Sequence, residues 1–139
     1  MRDQLEERCG KIEECYEFML AYAAQGLQTE PAGGSGSQLR MLLTRGDDAL
    51  IGLGELFTKI VRAENLQPVE KYDAFIAMLS RDASDARAAI GLVLAQPSIS
   101  SQLVDNLNAS IHLRALLTDL FLIDEIVRSD ATSDIAHSE

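Results

Sequence analysis

Residues 2–28 read RDQLEERCGKIEECYEFMLAYAAQGLQ, and the placing of their apolar side chains decides the fold. Leu5, Cys9, Ile12, Tyr16, Met19, Ala23 and Leu27 follow one another at steps of 4, 3, 4, 3, 4 and 4. A strand returns to the same face every second residue, whereas an α-helix of about 3.6 residues per turn returns every third or fourth. The stretch reads as one long amphipathic helix whose apolar stripe forms the seam of a bundle.

The same rhythm continues outward from it. Residues 38–64 put Leu39, Leu43, Gly46, Leu50, Leu53, Phe57 and Ile60 on one stripe, and residues 69–95 do the same with Tyr72, Ile76, Leu79, Ala83, Ala86, Ile90 and Val93. No strand pattern competes. Between the segments lie TEPAGGSGS at 29–37, a flexible linker by composition, the short turn NLQP at 65–68, and QPS at 96–98. Three segments of similar length make rods of about 40 Å at ~1.5 Å per residue, and equal rods joined by short loops pack best antiparallel. Gly46, Ala83 and Ala86 are small seam residues where a neighbouring helix should come close.

The fourth segment departs from this pattern. Its first half carries Leu103, Val104, Leu107 and Ile111, and its second half Leu113, Leu116, Leu117, Leu120, Ile123, Ile126 and Val127. At about 100° per residue these two faces lie roughly 180° apart on a straight helix. A break near 108–112, with Asn108 or Ser110 capping a new helix, accounts for the change. The alternative is an unbroken helix that buries opposite faces, one of them against another chain. The expectation is therefore an all-α, antiparallel up-down-up-down four-helix bundle, its last helix broken or kinked near 108–112. Residues 1–128 form its single domain, and 129–139 a flexible acidic C-terminal tail.

Composition narrows the function. A chain of 139 residues fits one domain, and 47% hydrophobic content fits a globular one. With four Phe, three Tyr and no Trp, the core must be aliphatic. The net charge of −10 opposes nucleic-acid phosphates and anionic lipid alike, so neither is an expected partner. No apolar leader follows Met1, and no stretch approaches 18 uncharged apolar residues, which gives no expected membrane span. Cys9 and Cys15 are separated by about 240° of rotation along one helix, so they point apart and cannot pair with each other. Free thiols suit a reducing compartment, and a cytoplasmic location is expected.

Chemistry-bearing patterns are few. Glu13, Glu14 and Glu17 form a solvated acidic face, because the chain has no Glu-x-x-His and only two histidines with which to build a metal centre. Asp105, His112 and Asp119 share a face, but at about 10 Å per seven residues they form a solvated stripe and no dyad. The glycines at 33–36 precede no Lys-Ser/Thr and follow no strand, so they cradle no phosphate. No cofactor, metal or catalytic residue is expected.

Two features point to function. In a histidine phosphotransfer domain a bundle helix carries His-x-Leu-Lys/Arg-Gly, and the run His112-Leu113-Arg114-Ala115 resembles it. Here the Leu and the basic residue come one position early, and Ala stands at +3 where the family has Gly at +4. The resemblance implies a signalling bundle with His112 as phosphoacceptor. The other feature is surplus apolar surface. Phe18 and Met41 point away from their seams, and the halves of 103–127 face opposite ways. The expected interface draws on Phe18, Tyr22, Met41, Leu103, Leu107 and Ile111, in a non-enzymatic protein that binds another protein or itself as a homodimer.

Overall fold

The computed structural model describes residues 1–109 and 112–138, with side chains as far as Val127. It is all-helical: 81% is helix and no described residue lies in a strand. Six helices are described: α1 (Arg2–Ala24), α2 (Ser35–Leu50), α3 (Leu53–Ala63), α4 (Val69–Leu94), α5 (Ser101–Ala109) and α6 (His112–Ser138). None of them is long and apolar enough to cross a membrane among the described residues.

The seams of 38–64 and 69–95 are buried at every position read from the sequence. The first of these, however, belongs to two helices. At Ile51 the backbone turns extended, and Gly52 takes φ 69° and ψ 16°, a left-handed conformation open to glycine at little cost. The Arg8 guanidinium donates to the carbonyl of Ile51 freed at the break.

In α1 the buried column is Ile12, Cys15, Met19 and Tyr22, so the Leu5–Leu27 stripe lies along one edge of the buried face instead of its centre. Across it, Gly46 of α2 meets Cys15: a β-carbon added at 46 would stand 2.9 Å from the Cys15 Sγ. α1 packs on α2 and α5, while α4 packs on α6, α2 and α3.

Helices α5 and α6 bury Val104 and Leu107 on the one side and Leu113, Leu116, Leu120 and Ile123 on the other. α5 lies mainly on α1 and α6 mainly on α4, so both faces are used within a single chain. Of the expected break near 108–112, residues 110 and 111 lie outside the described residues. Residues 129–138, expected as a flexible tail, continue α6 to Ser138; no Gly or Pro interrupts them.

One end of the molecule is tied by side chains. Tyr22 donates its hydroxyl to the carbonyl of Ile99 at 2.6 Å, and the Ser101 hydroxyl donates to the carbonyl of Tyr22 at 2.6 Å. The amide of Leu27 donates to the Ser101 Oγ, and that of Ser101 to the carbonyl of Leu27, both at 2.8 Å. Segment 29–37, expected as a flexible linker, is anchored here. Glu30 accepts from Arg40 at 2.7 and 2.8 Å and from the Ile99 amide at 3.1 Å, and Arg40 donates onward to the carbonyls of Leu94 and Gln96. The Arg40 hydrogen bonds hold the Glu30 carboxyl below its usual range. Tyr22→Phe removes the donor to a fully buried carbonyl and is expected to cost about 1–2 kcal/mol in urea unfolding. A cost near zero would show that the Ile99 carbonyl finds another donor.

Candidate functional site

The first turns of α1 present Cys9 on one side with Leu5, Glu6 and Glu13 three or four residues from it. Opposite them α6 presents Leu120, Phe121, Asp124 and Val127. Between these walls lies a groove of about 260 Å³, floored by Phe57 and Ile60 of α3. Gly10 lines the groove, and a β-carbon built there would meet nothing within 4 Å.

The floor is buried and apolar, formed by Phe57, Ile60, Leu120 and Val127. The rim is polar and acidic, except for the Phe121 ring, which is 57% exposed. The Cys9 thiol is pushed up to about 11, first by burial and then by the charges of Glu13, Asp124 and Glu6. Three carboxylates on both walls thus act on one point in the groove. Arg2 also lines it, with its guanidinium paired to Glu64. A thiol held protonated is a poor nucleophile. Among the described residues no three His, Cys, Asp or Glu side chains gather as metal ligands do.

Of the residues expected at an interface, Tyr22 (0% exposed) and Leu107 (6%) are core residues of the single chain. Phe18 and Leu103 are half-buried against that core, Met41 is exposed on α2, and Ile111 lies outside the described residues. These positions do not make one exposed patch. His112 is half-buried, and residues 110 and 111 just before it lie outside the described ones.

Asp119 corrects the expectation of a solvated stripe, since it is 8% exposed while Asp105 is exposed. Asp119 shares a hydrogen bond with Asp82 across the α4–α6 contact, and its Oδ2 is buried without a partner among the described residues. Burial, with the hydrogen bond and charge of Asp82, pushes its carboxyl up to about 7.

The exposed ring of Phe121 was missed by the periodic reading, although the run Leu120-Phe121-Leu122-Ile123 carries a signal for it. Four consecutive apolar residues span about 300° of a helix, and no single core can take all of them. Leu120 and Ile123 turn inward, and Phe121 and Leu122 outward. No protein-family model matches the chain, and no curated protein or solved structure is detectably similar to it.

Proposed function

We propose that this chain is a non-enzymatic protein-interaction module with the α1–α6 groove as its contact site. In this reading the fold is a four-rod antiparallel bundle, in which α2–α3 and α5–α6 each serve as one broken rod. The observation that carries the function is the groove itself, an apolar floor under an open rim bearing the Phe121 ring. Its volume of about 260 Å³ falls below the ~300–1,000 Å³ of a typical small-molecule site. It suits one or two side chains of a partner, the way anchor residues seat in protein interfaces. A second copy of the chain is a poorer fit, since each copy carries −10 and the rim carboxylates would meet their own kind.

A photo-crosslinking amino acid in place of Phe121, expressed in the native cell, tests the reading. A discrete adduct with a different protein is expected, and Gly10→Phe, which fills the groove from an open position, should remove it. Absence of an adduct, or one insensitive to Gly10→Phe, would count against the groove as a contact site. An adduct of two copies would assign the face to a homodimer.

A further inference from the structure

We propose that the occupant of the α1–α6 groove is an amphipathic α-helix of a partner protein, with Lys or Arg flanking its apolar stripe. This rests on the groove being a protein contact site and adds the chemistry of what binds there.

Three observations converge on a basic helix. Both walls of the groove are helices, and past the first turn of α1, whose leading N–H groups have no intrahelical acceptor, their backbone groups are used within themselves. An extended peptide would find little backbone to pair with along the walls, whereas a helix brings its own hydrogen bonds and needs only side chains. The α1 wall, residues 2–13, runs about 16 Å at ~1.5 Å per residue, which matches three turns of a docked helix. Two apolar residues one turn apart on such a helix, at i and i+3 or i+4, would face Leu5, Cys9, Phe57 and Leu120 along the floor.

The charge around the floor sets the flanks. Glu6 and Glu13 are exposed on the α1 rim and enter no hydrogen bond or ion pair among the described residues. Asp124 acts on the Cys9 thiol from the opposite wall. Arg2, the cation of the lining, is engaged by Glu64 outside it. A ligand whose apolar stripe enters the groove therefore runs along the Glu6 and Glu13 carboxylates, and a cationic flank meets them.

The absence of Trp from the chain supplies a clean readout, because a single Trp on a synthetic ligand reports its own burial. The probes are two helical peptides of about 18 residues with the same Leu and Trp stripe, one with Lys flanks and one with Glu flanks. The Lys peptide is expected to bind with a blue-shifted Trp emission, and the Glu peptide at least about tenfold more weakly. Glu6→Lys with Glu13→Lys should reverse that order. Glu70→Lys with Asp73→Lys, an equal charge change at exposed positions of α4, should leave it in place. Gly10→Phe and, independently, Phe121→Asp should abolish binding of the Lys peptide while the far-ultraviolet helical signal persists.

Equal binding of the two peptides, or an order unmoved by the rim substitutions, overturns the basic-helix proposal. If the native adduct through position 121 is still formed, the contact site itself survives that result. Lys-peptide binding unaffected by both Gly10→Phe and Phe121→Asp overturns the proposal and the contact site together.

Discussion

At pH 8, Asp119→Asn is expected to make the protein about 2–4 kcal/mol more stable, an unusual gain from a single polar substitution. The carboxyl of Asp119 lies in the α4–α6 contact against Asp82, and its charged form has lost its water. Its folded value of about 7 stands above the 3.8 of an ordinary aspartate, so between these values the folded chain holds a proton that the unfolded chain has released. The resulting stabilisation is complete below about pH 4 and is lost as pH rises through about 7. The gap between 3.8 and about 7, at about 1.4 kcal/mol for each tenfold change in proton affinity, sets a ceiling near 4 kcal/mol. Asparagine keeps a donor for Asp82 and carries no charge. Urea unfolding at pH 6, 7 and 8 should show the unmodified chain gaining about 1.4 kcal/mol on going from pH 8 to pH 6, and Asp119→Asn gaining much less. Self-repulsion among the other acidic groups is nearly common to both proteins and drops out of the comparison. Equal slopes would show that Asp119 titrates as a solvated carboxylate.

Gly46→Ala is the second large effect, and its sign runs against helix propensity. In an exposed helix the change would stabilise by up to about 1 kcal/mol. Here the new methyl would stand 2.9 Å from the Sγ and 3.1 Å from the Cβ of Cys15, with both residues buried between α1 and α2. Forcing the two helices apart should cost about 1–3 kcal/mol. Cys15→Ala removes the sulfur, so the double variant should recover part of the loss, with a coupling of roughly 1 kcal/mol. Gly10→Ala is the matched control: it faces open space and should gain about 0.5–1 kcal/mol. A Gly46→Ala protein as stable as that control would mean that α1 and α2 do not approach so closely.

Where burial follows from spacing alone, the sequence was readable. The seams through Leu39–Ile60 and Tyr72–Val93 needed nothing but the helical period. The break at Gly52 was hidden because the step from Leu50 to Leu53 fits an unbroken helix, and a single left-handed residue leaves no mark on such spacing. In α1 two neighbouring columns are both apolar. The reading centred on Leu5 and Leu27, whereas packing against Gly46 and Ile99 selects the column of Cys15 and Tyr22. Phe18 was legible as an outlier, but half of it is covered by the core. The groove left a partial trace in residues 120–123, and its acidic rim left none, since Glu6 and Glu13 look like any solvated face until α6 is laid beside them. Nothing local could pair Asp119 with Asp82, or Glu30 and Arg40 with the α4–α5 connection, because these are long-range contacts. Of the residues expected at a homodimer interface, Phe18, Tyr22, Met41, Leu103, Leu107 and Ile111, the chain buries Tyr22 and Leu107 within itself and leaves Met41 exposed.

The tied end of the molecule also bears on the order in which the chain assembles. Tyr22 reaches Ile99 and Leu27 reaches Ser101 across 77 and 74 residues of chain. By contrast, α1 meets α2 across the short connection 25–34. Loop-closure entropy rises with the length enclosed, so the α1–α2 pair can form early, while α5 is brought to α1 only after the intervening helices have condensed. Contacts made after the rate-limiting step barely affect the speed of folding and act instead on the speed of unfolding. The hydrogen bonds at this end are therefore expected to act as a latch, so that Tyr22→Phe speeds unfolding more than it slows refolding.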